Sequence, residues 1–142
     1  MVLTAEDRRL LQASVGKLGC RLEDIGADAL NRLLIVYPKT KTYFSHYNLS
    51  PGSKDIIHQG EKVGKALDNA LKHLDDLRGT LSQLSDLHAY NLRVDPVNFE
   101  LLSKCFIVSL ATHLTKEYNA CCCLAWVKFF EQVGDMLSKN YR

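Results

Sequence analysis

Residues 81–99, LSQLSDLHAYNLRVDPVNF, force a helix, a corner and a second helix into one short stretch. Leu84 and His88 are four residues apart and so project from the same helical face. Leu81 and Leu87 fall on or beside that face, which makes His88 the polar member of an apolar stripe. Asp95-Pro96 then reads as a helix start, with Asp accepting free N–H groups as N-cap and Pro suited to the first helical position. Taken alone, such a histidine is either a hydrogen-bonded boundary residue or a metal ligand, because imidazole serves both purposes.

The rest of the chain repeats the helical period, and no set of alternating strands is apparent. Thr4 with Asp7 three residues later forms a variant capping box and opens a helix to about residue 18, where Gly19 interrupts it. A second helix is predicted over about residues 21–36, with Ile25, Ala29, Leu33 and Val36 inward. Tyr37-Pro38 ends it, since the residue before proline disfavours helical angles. A short helical turn over 38–43 leads into a loop punctuated by Ser50-Pro51-Gly52. Ser53 is the expected N-cap of a long helix to about Lys72, with Ile56, Val63, Ala66 or Leu67, Ala70 and Leu74 on its apolar face. A corner over 75–80 precedes the opening stretch. After Pro96 a helix to about His113 carries Val97, Leu101, Cys105, Val108 and Ala111. A last helix over about 120–139 carries Leu124, Phe129, Val133 and Leu137, with Lys128 and Lys139 as its polar complement.

About seven helices in one all-α domain spanning residues 1–142 are therefore expected. Short helices around a loop with Phe44 and His46 are unusual in a simple bundle and suggest that something occupies the centre. A formal charge of +2, dispersed along the chain, gives no reason to expect nucleic acid or an anionic membrane as partner. No run of about 18 apolar residues is apparent, and MVLTAEDRRLL lacks a secretory apolar core, so a cytosolic chain is expected. The five cysteines agree, being odd in number with three adjacent at Cys121, Cys122 and Cys123, a poor disulfide framework. No second CxxC or HxxxH pair completes a zinc site.

Three segments carry a resemblance: YPKTKTYFSHYNLSPGS (residues 37–53), LSDLHAYNLRVDPVNF (84–99) and the terminal Lys139-Asn140-Tyr141-Arg142. They resemble the α-type subunits of vertebrate haemoglobins, with AYNLRVDPVNF similar to the αD branch. The likeness runs over essentially the whole chain. It implies the globin fold, helices packed around haem b (Fe-protoporphyrin IX), with dioxygen as ligand. On that resemblance His88 is the proximal iron ligand. Leu84, Leu87, Leu92, Val94, Phe99, Leu102, Val133 and Leu137 would exclude water from the macrocycle, Phe44 would pack flat on its edge, and His46 would sit near a propionate. Tyr43, Lys62 and Asn98 complete the implied pocket.

On the opposite side the chain departs from the family pattern. The usual distal histidine position, four residues before Val63, holds Gln59, while a histidine stands next to it at His58. Gly60, Lys62 and Val63 keep the unslipped register, and a one-residue slip would rotate the helix by about 100°, so Gln59 and Val63 are the distal pair and His58 turns towards solvent. A glutamine amide can still donate to the partial negative charge on a dioxygen ligand, a neutral bond contributing about 0.5–1.5 kcal/mol.

The resemblance also implies an α2β2 tetramer with β-type globin chains, contacts coming from Lys41, Tyr43, Asp95, Asn98, Cys105, Lys128, Tyr141 and Arg142. A second departure lies on the last helix, where Val127 replaces the aspartate that would pair with Arg142; one charged contact of the low-affinity state is expected to be lost. Successive side chains are about 100° apart on a helix, so the three adjacent cysteines cannot share one environment. They are expected as packing thiols, with a redox or cross-linking role as the other possibility. The expected function is reversible oxygen carriage in red-cell cytosol, and not enzymic. A haem redox enzyme such as a nitric oxide dioxygenase or peroxidase, or a monomeric haem sensor, are the alternatives; the chain shows neither a reductase domain nor an output domain.

Overall fold

Local chemistry sets most of the helix boundaries in the computed structural model, which describes residues 2–19, 21–92 and 95–138, apart from the side chains of residues 90–92 and 117. Helix α1 (Ala5–Leu18) begins at the expected capping box. The Thr4 hydroxyl accepts the Asp7 N–H, and the Asp7 carboxylate accepts the Thr4 N–H. Gly19, at φ 53°, closes it in a backbone region that favours glycine. Helix α2 (Arg21–Val36) stops before Tyr37-Pro38, and a 3-10 helix follows over Pro38–Phe44. Helix α3 (Lys54–Lys72) starts from Ser53, whose hydroxyl accepts the Ile56 N–H.

The expected corner over 75–80 is shorter than the reading placed it. After a 3-10 turn at Leu74–Asp76, the Asp76 carboxylate accepts the Gly79 N–H and starts helix α4 (Leu77–Asp86). The chain then widens into a π turn over Leu87–Leu92. Helix α5 (Val97–Leu114) is regular from Val97, with Pro96 already at helical angles and the Asp95 carboxylate accepting the Val97 N–H. A 3-10 turn at Thr115–Glu117 leads to Asn119, whose side chain caps helix α6 (Ala120–Ser138) through the Cys122 N–H. Among the described residues no strand occurs. Lys139 lies outside them.

Two sets of helices frame the molecule. In one, α3 crosses α2 at very close range: a Cβ on Gly60 would collide with the Ala27 backbone, and one on Gly64 would come within 2.7 Å of Glu23 Cα. Helix α5 packs on α2, where the buried Ser109 hydroxyl donates to the Ile25 carbonyl at 3.4 Å. In the other set, α6 packs against α1 and α4. The α1–α6 seam holds a Lys128–Asp7 ion pair at 2.9 Å and a Ser14–Cys122 contact at 3.3 Å. The core between the sets centres on Trp126, Phe106, Phe129, Leu11 and Ile25.

Several residues assigned inward by periodicity face outward. Val36, Val97, Val108 and Leu124 are exposed, while Leu30 and Leu34 on α2, Phe106 and Leu110 on α5, and Ala125, Trp126 and Phe130 on α6 are buried. Helix α5 is apolar nearly all round, so period alone does not choose its inner face, whereas on α6 Phe129, Val133 and Leu137 are inward as assigned and only Leu124 is not. On α3 the inner face includes Gly60 and Gly64, which carry no hydrophobic signal at all. Helix α5 also corrects the expectation that no apolar run of membrane-spanning length exists. Its 18 residues have a mean hydropathy of 1.2, long and apolar enough by composition. Here it is a packed helix, with Cys105, Phe106, Ser109, Leu110 and Leu114 buried.

Candidate functional site

His88 stands at the end of α4, in the first turn of the π segment. Leu77, Leu81 and Ser85 form the buried row of that helix, four residues apart, and fix its rotation. Ser85 is a polar residue on this apolar row because its hydroxyl donates to the Leu137 carbonyl of α6 at 3.1 Å. One step around the helix lie Leu84 and His88, both half-buried. The Leu84 carbonyl sits 2.7 Å from His88 Nδ1. A carbonyl only accepts, so Nδ1 carries the proton and Nε2 carries the in-plane lone pair. Phe99, on the first turn of α5, meets the imidazole edge-on at 5.4 Å and 65°. Leu102 is half-buried, and Val133 and Leu137 lie in the core. Leu87 departs from the stripe assigned to it and is 40% exposed. Val94 and the side chain of Leu92 lie outside the described residues.

A second group forms where the loop after the 3-10 helix meets α3. The loop is built on Asn48: its N–H donates to Asp55, its carbonyl accepts the Ser53 hydroxyl, and its side chain accepts the Ser50 N–H. Tyr47, held beside it, donates its N–H to the Phe44 carbonyl and tilts its ring against Phe44 at 5.8 Å. The Tyr47 hydroxyl donates to Gln59 Oε1 at 3.2 Å. Gln59 and Val63 are half-buried, whereas His58, Lys62 and His46 are exposed, the register expected for α3.

A third group joins the 3-10 helix to the start of α5. The Tyr43 hydroxyl accepts the Asp95 N–H at 3.2 Å and the Asn98 side-chain amide at 3.0 Å, and that amide also donates to the Asp95 carbonyl. A groove of about 620 Å³ opens beside it, walled by Pro38, Thr42, Val97 and Leu101. Lys41 is exposed; Cys105 is buried, and burial pushes its thiol pKa up. Lys128 is bound to Asp7 within the chain. Tyr141 and Arg142 lie outside the described residues.

Sequence reading paired Leu84 with His88 by their spacing; Phe99 beside them came only with the resemblance, and the network that joins Tyr43, Asp95 and Asn98 was not foreseen. Tyr47 and Ser85 were also missed. Ser85 had a legible signal, a hydroxyl four residues after Leu81 on an inward row; Tyr47 had none, since its partner lies across a loop.

The donor set suits haem. One histidine offers Nε2 with its tautomer set by a backbone carbonyl, the second-shell arrangement common to metal-bound imidazole. Half-buried apolar chains of the kind that cover a flat macrocycle, Phe44, Val63, Leu84, Phe99 and Leu102, pack on the adjoining core.

A family model described as Globin matches residues 27–137. The hemoglobin subunit alpha-D of Drymarchon melanurus erebennus is 85% identical over 141 residues, covering 99% of this chain and 100% of that one. That of Erythrolamprus miliaris is 84% identical over the same span. The hemoglobin subunit alpha-3 of Xenopus laevis is 52% identical over 142 residues, the whole of both chains. Helix content, the orientation of His88 and these likenesses agree: the chain belongs to the globin family, in its vertebrate α-type haemoglobin branch, among the alpha-D subunits.

Proposed function

We propose that this chain is a single globin domain over residues 1–142 that carries dioxygen reversibly, as the α-type member of a cooperative α2β2 tetramer with β-type chains in red-cell cytosol. The observation that carries this reading is the His88 Nδ1 bond to the Leu84 carbonyl at 2.7 Å, which leaves the in-plane lone pair on Nε2, the atom that would hold haem iron. Haem b, when bound, supplies a ferrous centre with affinity for dioxygen. The protein's part is orientation and exclusion of water. Leu84, Phe99, Leu102, Val133 and Leu137 would line the proximal side. Phe44, His46, Lys62 and Val63 would flank the macrocycle, with Tyr43 and Asn98 at its margin, and Gln59 would donate an amide N–H to the ligand.

The partner reading draws on the outward apolar residues. Ile35 and Val36 on α2, Val108 on α5 and Leu124 on α6 are each at least half exposed, on helices packed in the order α2, α5, α6. A β-type chain would cover them, with Cys105 beneath and Lys128 at the margin. A second contact would use the Tyr43–Asp95–Asn98 network. The Tyr43 hydroxyl accepts two bonds and keeps its own proton to give to a partner's acceptor. Lys41 and Arg142 would supply the charged contacts that distinguish two quaternary states, with Tyr141 as a further contact beside them.

An oxygen equilibrium curve of the haem-reconstituted chain, alone and with a β-type partner, tests the reading. Reversible binding with a Hill coefficient near one alone and well above one in the mixture is the expected result. Irreversible oxidation on exposure to oxygen would overturn carriage; a non-cooperative mixture would overturn the tetramer.

A further inference from the structure

Gln59 is a donor to the ligand only if its amide is turned the right way. A primary amide has an accepting oxygen and a donating NH₂ on opposite corners of one plane, and a reversed amide would aim lone pairs at a partial negative charge. Nothing in the helix itself chooses between the two, because a glutamine side chain on α3 turns freely about its terminal torsion. The choice is made from outside the helix. The Tyr47 hydroxyl donates to Gln59 Oε1 at 3.2 Å, which engages the accepting corner and directs the NH₂ away from Tyr47.

Tyr47 is itself braced on two sides. Its ring lies tilted against Phe44 at 5.8 Å, and its backbone N–H is bound to the Phe44 carbonyl at 2.9 Å. The next residue, Asn48, is tied to Ser53 and Asp55 at the start of α3. The loop that carries the phenol is therefore tied to the start of the helix that carries Gln59.

We infer that Tyr47 is a positioning residue for ligand binding: its hydroxyl orients the Gln59 amide so that the amide donates. This rests on the reading of Gln59 as distal donor given above. With Tyr47 38% exposed, water competes for the phenol, so the bond biases the amide without locking it.

The test uses the haem-reconstituted protein and the variants Tyr47→Phe, Gln59→Leu and their combination. Two quantities are read: the oxygen dissociation rate and the C–O stretching frequency of the carbon monoxide form, which senses the field at the ligand whatever the binding rate. Tyr47→Phe keeps the ring and its Phe44 contact. It is expected to speed oxygen dissociation by about two- to tenfold and to move the stretch towards that of Gln59→Leu. In the Gln59→Leu background, Tyr47→Phe should change neither quantity. If Gln59→Leu alone alters neither, the distal-donor reading fails and this inference with it. If Gln59→Leu alters both but Tyr47→Phe alters neither, or acts equally in both backgrounds, the positioning role is overturned and the donor reading stands.

Discussion

The half of the molecule that carries His88 and the half that carries Gln59 are held by different means. His88 is oriented by its own helix through the Leu84 carbonyl, and that helix hangs on α6 through Ser85 and Leu137. Helix α6 is in turn pinned to α1 by Lys128 and Asp7. Gln59 sits on a helix fixed by backbone contact, with Gly60 and Gly64 against α2, but the side chain itself is directed by a loop tyrosine. The His88 side is tied by hydrogen bonds down to the imidazole Nδ1. The Gln59 side is packed closely only at its backbone, and the last torsions of the side chain depend on one partly exposed hydroxyl. Altering the distal loop should tune affinity, whereas altering the proximal supports should cost stability.

Three substitutions probe that contrast, beginning with the most damaging. Gly60→Ala drives a methyl into the Ala27 backbone, which cannot give way as a side chain could, and should lower stability by about 3 kcal/mol in urea unfolding. The ferrous deoxy spectrum of the folded fraction, which reports the His88 side, should be unaltered; a changed spectrum would mean the two halves are not separately held. Ser85→Ala attacks the proximal support. It leaves the Leu137 carbonyl without its hydroxyl donor, costing about 1–2 kcal/mol, and haem should transfer faster to a scavenging apoprotein. A stability loss with no change in transfer rate would show that Ser85 does not govern His88.

Asp7→Asn reaches the same support from further away and should have the smallest effect. The Thr4 N–H and then Lys128 hold the Asp7 carboxyl down to about 2, against an ordinary 3.8. A carboxyl depressed in the folded state stabilises fully above its unfolded value and loses that contribution as pH falls towards the folded one. Wild type and Asp7→Asn should therefore differ most above pH 4 and converge as pH approaches 2, in stability measured by urea titration at each pH. A constant difference across that window would remove Asp7 from the acid response.

Where a boundary is decided by chemistry between near neighbours, it was legible in the amino-acid order. Thr4 with Asp7, Ser53 before Ile56 and Pro38 after Tyr37 each satisfy or deny backbone groups within a few residues, and the helices start or stop there. The pairing of Leu84 with His88 was legible for the same reason, since their spacing is both the stripe and the hydrogen bond, but an iron-ligand role for His88 came only with the family resemblance. The inner face of α5 was not legible, because a helix apolar nearly all round takes its rotation from whatever it packs against, and on α6 only Leu124 was misplaced. Val108 and Leu124 thus turned outward against expectation. The α2–α3 crossing was hidden in glycines, whose contribution is the side chain they lack. The π turn around His88 and the Tyr47–Gln59 bond depend on geometry that no local pattern encodes.

The start of α6 places Cys121 in the open, Cys123 part-way in and Cys122 against Ser14 in the α1–α6 seam. One turn of helix therefore offers the same reactive group at three depths. Adducts formed by a thiol-modifying reagent become a gauge of how far that end of the helix has opened. The first registers a surface, the second a loosened edge, and the third the parting of the first helix from the last.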